Sequence, residues 1–542
     1  MSKNSQNSIE SPLTSDINER GSRYVPIPYG KYLELTRVGV KIPFCIFDKN
    51  IVKLCKILKK IENYFTLKSV QITGGIRKIK RTRINRKKQY IIVPRFGSFE
   101  ILNESFKLRH YCIKSQLPSG DECLAKFTGK LTTNQQVITE YLLKNIYNKQ
   151  RLIRGSAGCI LNLEAGQGKS YIAAYLFGVF KRKTAIILHS SSLLEQWKTL
   201  LTVCYPNIAI GEYHSKKKTD GDIILMIVNS VAKSKEFVDT VGKRKNKVII
   251  TRTPGEYFDR FGFIVYDECH LYANNFAAKA FKRASAPYML GLSATPNDNI
   301  DKFDKLVWWE IGQVIDAARI PGFKSTESNF TATIHRIMYY GSGEYTKLLL
   351  NPGTGMVSTT LTIGQLCNDK HRMKLIINCI CECAEDPARY IYVFADRRDY
   401  LERIREEYIK HQKQSTNNDT SALMTNDDEY VRIVGGSTTK DLKHAELNAR
   451  IIFTTYQYMG TGKSIVKMNA LILATPRKSK MAQYIKRIFR LGSDESIDRV
   501  VYDIVDMKTT LSNQWSKRKK FYKSENYKII EKKIKFNDDE LN

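Results

Sequence analysis

Residues 163–170 read LEAGQGKS, preceded by the apolar run Cys159-Ile160-Leu161 and followed by a helical pattern from Tyr171 to Phe180. Strand, glycine turn and helix in that order are the setting of a phosphate-binding loop. Gly166 and Gly168 remove the Cβ atoms that would obstruct a chain wrapped around polyphosphate. The freed N–H groups, that of Gln167 among them, and the helix N-terminus then face the phosphates with partial positive charge. Lys169 adds a full charge on a flexible stem, and the Ser170 hydroxyl is the expected Mg²⁺ ligand. The strict pattern GxxxxGK[ST] has glycine where Leu163 stands. A glycine-rich strand–helix turn without a ligand is the bland alternative.

Downstream, the apolar run Phe263-Ile264-Val265-Tyr266 ends in Asp267-Glu268-Cys269-His270. Adjacent carboxylates at a strand end suit a Mg²⁺-and-water site, Asp267 holding the metal and Glu268 deprotonating the attacking water. Neighbouring strand residues point to opposite faces, so both can act only if the strand stops and the chain turns. Alone, the pair reads equally as an exposed acidic turn. Ser293-Ala294-Thr295-Pro296 closes the next apolar run with small hydroxyl residues able to relay movement. Far along the chain, QYIKRIFR places Gln483, Arg487 and Arg490 at helical spacing. Two arginines so presented can reach across a cleft to a γ-phosphate; a basic amphipathic helix is the plainer reading.

Around these stretches, strand and helix patterns alternate with short turns, which argues for parallel α/β sheets. Expected strands are 185–188, 223–228, 263–266 and 289–292, then a second series at 390–394, 431–434, 450–453 and 470–474. The two series read as two domains of similar construction. Residues 412–429 read as a polar mobile insertion, and the Lys-rich stretch beyond Trp515 as a basic helix or a frayed tail. Before the first series, short strand-like runs (91–94, 99–102) suggest a small mixed α/β module. It carries a basic run, Arg77, Lys78, Lys80, Arg81, Arg83, Arg86, Lys87 and Lys88. That run admits three readings: a nucleic-acid arm, a localisation-like signal, or a solvated loop.

Length and charge bound the rest. A chain of 542 residues has room for about three domains. Lys and Arg outnumber Asp and Glu by 88 to 54, a net charge of +34, which favours polyanions and above all nucleic acid. A lysine-rich surface encoded by an AT-rich genome explains part of the same excess. No apolar stretch of about eighteen residues and no signal pattern is seen, so a soluble intracellular protein with no membrane partner is expected. The eleven cysteines lack a paired CxxC zinc pattern, and Cys379, Cys381 and Cys383 read as small apolar residues of a helix.

The ordered set of motifs resembles a superfamily 2 helicase of the DExH type, over residues of about 130 to 505. LTTNQ (131–135) is similar to the adenine-side glutamine motif, GQGKS to motif I, HSSSLLEQW (189–197) to motif Ia and IVNSV (227–231) to the next strand-contacting motif. DECH resembles motif II, SAT motif III, YIYVFADRRDYL (390–401) motif IV, IIFTTYQYMGTGKSI (451–465) motif V and QYIKRIFR motif VI. Within the superfamily, the resemblance is to the transcript-release DNA helicases of poxviruses and other large cytoplasmic DNA viruses.

The resemblance implies two tandem RecA-like domains, parallel sheets flanked by helices, after a small mixed α/β N-terminal domain. The expected division is a tail (1–22), the accessory domain (23–125), a first RecA-like domain (126–320), a linker (321–370), a second RecA-like domain (371–510) and a basic tail (511–542). It further implies ATP and Mg²⁺ as cofactors, with Gln135 and Gln483 on the nucleotide and Lys169, Asp267, Glu268, Arg487 and Arg490 catalytic. Ser190, Ser191, Thr454 and Thr455 would touch nucleic acid, and His270, Ser293, Thr295 and Gly462 would couple the two sites. DNA is the expected strand and RNA the alternative, with action beside a viral transcription apparatus in the host cytoplasm. A binding subunit with a vestigial ATPase site is the rival. Three positions depart from the pattern: His189 for proline, Ser464 for aspartate and Lys486 for glycine.

Overall fold

The computed structural model describes residues 32–47, 50–70, 76–102, 106, 108, 111–164, 166–241, 248–296, 303–324, 331–416, 428–435, 437–459, 465–477, 481–489 and 494–535. Three sheets carry the fold, and the two larger ones are the tandem RecA-like halves.

In the first, six parallel strands lie in the order Ile223–Ile227, Thr184–Leu188, Phe263–Tyr266, Tyr288–Ser293, Gly158–Asn162, Gln313–Asp316. The central runs are apolar on both faces because helices and turns cover both: Thr184–Leu188 and Phe263–Tyr266 are buried throughout. Four further strands, from Ile210–Tyr213 to Val248–Arg252, extend the far edge to a total of ten. The strand leading into LEAGQGKS is not beside the strand of Asp267. Tyr288–Ser293 lies between them, with Asn162 opposite Ser293 and Tyr266 opposite Gly291. Three strand ends therefore finish nearly level at one carboxyl edge, where α/β sheets place ligands.

The second sheet has seven parallel strands in the order Tyr430–Ile433, Ile451–Thr455, Ile391–Ala395, Ala470–Leu473, Arg499–Asp506, Ala332–Tyr340, Lys528–Lys535. Two expected boundaries are corrected by it. Residues 321–370 are not a linker, since Ala332–Tyr340 pairs on both edges and Thr359–Leu366 is a helix capped by the Ser358 hydroxyl. Residues 511–535 of the expected tail are not a tail either, and 536–542 lie outside the described residues. The helix Trp515–Ser524 is fixed by Arg518 Nε and Tyr522 Oη, each donating to buried Asp503 at 2.8 Å, and Lys528–Lys535 forms the edge strand. The C-terminal segment reads as polar because an edge strand and a half-covered helix keep their charged positions in solvent. Gln412 is helical rather than part of a mobile insertion, lying in Arg398–Thr416, while 417–427 fall outside the described residues.

The N-terminal sheet is mixed, in the order Arg83–Asn85, Tyr90–Val93, Gly39–Pro43, Tyr32–Thr36, Cys112–Ser115, with a separate hairpin of Thr66–Val70 and Ile76–Lys80. The strand expected at 99–102 is instead covered by a helix, Gly97–Ile101. A four-residue run, Phe99-Glu100-Ile101-Leu102, does not separate the two, and packing is close there: a Cβ on Gly97 would lie 2.6 Å from the Phe65 ring. No helix among the described residues is long and apolar enough to cross a membrane.

Candidate nucleotide site

The loop after Gly158–Asn162 turns through two glycines with positive φ, Gly166 at 89° and Gly168 at 81°, before the helix Lys169–Phe180 begins. Lys169 Nζ folds back onto the loop, donating to the carbonyls of Leu163 (2.7 Å) and Glu164 (3.0 Å). These neutral acceptors are weaker partners for an ammonium than phosphate oxygens. Ser170 follows in the first turn, half-buried. A Cβ at Gly168 would meet Gln135 Nε2 at 2.3 Å, so the glutamine lies directly against the loop. Gln135 also closes a capping box at the head of its helix: Thr132 N donates to Gln135 Oε1 (2.9 Å) and Gln135 N to Thr132 Oγ1 (3.3 Å). Its oxygen is engaged by its own helix, which leaves the amide nitrogen facing the loop.

Asp267 and Glu268 meet the condition that their spacing imposed. The strand ends at Tyr266, and Glu268 takes φ 47°, a left-handed turn that only a few per cent of non-glycine residues adopt. Such a backbone marks an enforced conformation. Asp267 is buried, and burial, with the adjacent Glu268 carboxylate, pushes its pKa up to about 6 against the pull of Trp197 and Lys169. Trp197 Nε1 donates to Asp267 Oδ2 at 2.8 Å, and Glu268 N to Asp267 Oδ1 at 3.0 Å. A buried carboxylate with too little positive charge near it is an oxygen donor that suits a hard divalent cation.

Behind Glu268 runs a short relay. His270 Nδ1 lies 3.4 Å from Glu268 Oε2 and 2.9 Å from Ser293 Oγ, and Ser293 Oγ accepts from Thr295 N at 3.1 Å. The stretches DECH and SAT are thus joined through one buried imidazole. Tyr272 Oη clamps the same turn, donating to the carbonyls of Ile187 (3.0 Å) and Asp267 (2.8 Å).

From the second sheet, Arg487 lies buried on the short turn Lys486–Ile488, and its neighbour Lys486 reaches the phosphate loop, with Nζ 2.7 Å from Glu164 Oε1. The segment QYIKRIFR is therefore brought to the loop, although Arg490 lies outside the described residues and the side chain of Gln483 likewise. Gly462 and Ser464 also lie outside them.

Other expectations are corrected. Thr454 is fully buried in Ile451–Thr455, its hydroxyl without a partner, so it cannot touch a strand in this arrangement. The strand is buried throughout, so neither side of its alternation reaches solvent. Thr455 Oγ1 instead accepts from Tyr458 N at 3.2 Å, starting the next short helix. Ser190 and Ser191 are part-buried and exposed, at the head of Ser192–Cys204. In the basic run, Arg81 is no free arm: it is buried, ion-paired with Glu310 of the first RecA-like half, and donates to Ala278 O. Lys80, Arg83, Arg86 and Lys87, with Glu62, line an open groove of about 530 Å³.

Trp197, Tyr272 and Glu164 were missed as site residues. Trp197 stood in the stretch read as motif Ia, but its partner lies 70 positions away, and local sequence gives no sign of that.

Residues 128–298 match the family of the type III restriction enzyme res subunit. An African swine fever virus protein bearing the name of an ATP-dependent RNA helicase is 29% identical over 389 residues, covering 68% of this chain and 69% of that one. A mimivirus protein named in the same way is 25% identical, covering 81% and 76%. The transcript termination protein A18 of camelpox virus is 24% identical, covering 63% and 64%.

Proposed function

We propose that this chain, which resembles superfamily 2 helicases and is similar to proteins of large DNA viruses, is a nucleic-acid-stimulated ATPase that moves along DNA during viral transcription. The observation that carries this reading is the convergence of Lys169, Asp267, Glu268 and the buried Arg487 segment on one cleft between two parallel sheets.

ATP would lie on the loop, its β- and γ-phosphates taking Lys169 from the Leu163 and Glu164 carbonyls. Ser170 and Asp267 would hold Mg²⁺, which supplies charge neutralisation on the phosphate oxygens. Glu268 accepts the proton of the attacking water, its carboxylate oriented by His270 from the Ser293 side. Arg487 neutralises the charge that develops on the transferred group. The same His270–Ser293–Thr295 relay carries the change outward toward the strand-binding face, where Ser190 and Ser191 present hydroxyls and N–H groups to phosphates. Such contacts read no sequence, and binding weakens steeply with salt. The products are ADP and phosphate, and the site of action is the host cytoplasm, beside the viral transcription apparatus.

The test is ATP hydrolysis by wild type and Glu268→Gln, each alone, with single-stranded DNA and with single-stranded RNA. DNA should stimulate turnover, and the substitution should lower it by about 10² or more. Undiminished turnover in Glu268→Gln would remove the assignment of the base. A second reading, an RNA-directed enzyme, is favoured by the names of the African swine fever virus and mimivirus relatives; stimulation by RNA alone selects it. Nucleic-acid binding without turnover under any condition selects a binding subunit.

A further inference from the structure

Glu164 holds two lysines from two halves of the molecule. Its backbone carbonyl accepts from Lys169 Nζ at 3.0 Å, while its carboxylate Oε1 lies 2.7 Å from Lys486 Nζ. Lys486 belongs to the Arg487 segment of the second half, 322 positions away. It has a second acceptor already in reach, Glu525 Oε2 at 3.4 Å, at the end of the helix Trp515–Ser524. That helix end is fixed to the same segment by Phe489, whose ring stacks on Tyr527 at 5.4 Å and 5°. The Glu164 carboxylate is more than half exposed at the cleft rim, whereas Lys486 is three-quarters covered. The lysine is thus the organised partner, and the loop carboxylate the one that can leave.

We propose that Lys486 is a cleft-bridging positioning residue: it latches the arginine segment to Glu164 of the phosphate loop and passes to Glu525 when a triphosphate occupies that loop. The inference rests on the ATPase reading above. Its physical basis is competition. Drawing Lys169 off the Glu164 carbonyl rearranges the residue that bears the latch. A triphosphate also brings several negative charges beside the Glu164 carboxylate, which that carboxylate must repel. Lys486 loses little in the exchange, since Glu525 keeps its ammonium paired. A rim pair of this kind biases an equilibrium by about two- to five-fold and is screened by salt, so it gates closure without locking it. A glycine at this position could make neither contact.

Zero-length carbodiimide coupling of the wild-type chain tests the latch without any substitution. The reagent activates a carboxyl group, the adjacent amine displaces it, and an isopeptide bond records which acid Lys486 touched. Peptide mapping should find Glu164–Lys486 coupling in nucleotide-free protein. With a non-hydrolysable ATP analogue and Mg²⁺, that product should fall and Glu525–Lys486 rise. Absence of the first product, or its persistence at the same yield with bound analogue, overturns the proposal.

Binding of a fluorescent ATP analogue to Glu164→Gln, Lys486→Gln and the double variant gives the energetic arm. Each single change should tighten binding by about two- to five-fold, and the double should do no more than either. Additive effects, or weaker binding in Lys486→Gln, overturn it. If the wild type binds no analogue at all, the ATPase reading fails, while coupling in the nucleotide-free chain still decides whether the latch exists.

Discussion

At the scale of single residues, the cleft depends on side chains that satisfy one another across long stretches of chain. Asp267 keeps a charge in a buried place because the Trp197 indole donates to it. Trp197→Phe preserves the ring and removes only that donor. Loss of a hydrogen bond to a buried carboxylate costs about 2 kcal/mol, so the variant should lose about that in chemical denaturation and about tenfold in ATP turnover. Unchanged turnover would show that Asp267 needs no such support. Glu212 gives a pH signature of its own. Burial alone would raise its pKa, but hydrogen bonds from Lys217, Lys198 and His214 outweigh burial and bring it down to about 2. A depressed carboxyl pKa stabilises the fold above the unfolded value and loses that contribution as pH falls. Stability should therefore decline from about pH 4.5 toward about 2 in the wild type, by up to ~3 kcal/mol. Urea titrations of Glu212→Gln should show less of this decline.

At the scale of elements, the second half is pinned by arginines buried among its strands. Arg372, on the helix Lys370–Ala384, is fully buried and forks onto Asp506 at 2.6 and 3.1 Å, with Nη1 donating to Ala474 O at 2.7 Å. Removing one partner of a buried pair leaves the other charge stranded, at a cost of about 3–5 kcal/mol. Arg372→Met should lower the unfolding midpoint of the second half, while Arg372→Met with Asp506→Leu should recover most of the loss. If the double variant is no better than the single, the pair is not the source. The core strands of both halves were legible as apolar runs, with ends shifted by a residue or two. Ala332–Tyr340 and Lys528–Lys535 were not legible, because their polar positions hide the alternation and their partners, Arg499–Asp506 and each other, lie far along the chain.

At the scale of the whole molecule, the N-terminal module is not hung on a flexible arm. Arg95, buried, donates to the carbonyls of Gly155, Ala286 and Pro287 at 2.6–2.7 Å. Trp309 of the first half sits in the module's own core beside Phe65, and Arg81 pairs with Glu310. Two substitutions in one basic run should therefore act oppositely. Arg81→Ala should destabilise the module's attachment by about 3 kcal/mol, seen as faster proteolysis of residues 32–115. Arg83→Glu with Arg86→Glu should leave stability within about 0.5 kcal/mol and, if the groove holds a strand, flatten the salt dependence of nucleic-acid binding. An unchanged salt slope makes that groove a solvated surface.

The sequence by itself determined the glycine turn before the helix, the paired carboxylates, the serine–threonine turn after the next strand, and two parallel sheets. Each of these is a local pattern: glycine where φ must be positive, apolar runs where both faces are covered, carboxylates where a strand stops. Only the tertiary structure decided which charges are spent on holding the fold and which are left to act. Arg81 and Arg83 are two positions apart and equally basic, yet one is locked against Glu310 and the other faces an open groove. Thr454 and Thr455 are neighbours, yet one is sealed in the sheet and the other caps a helix. Lys486 meets Glu164, 322 positions away, only because the two larger sheets face one cleft. Spacing along the chain carries no information about such meetings, since partner, burial and distance are fixed by how the layers pack.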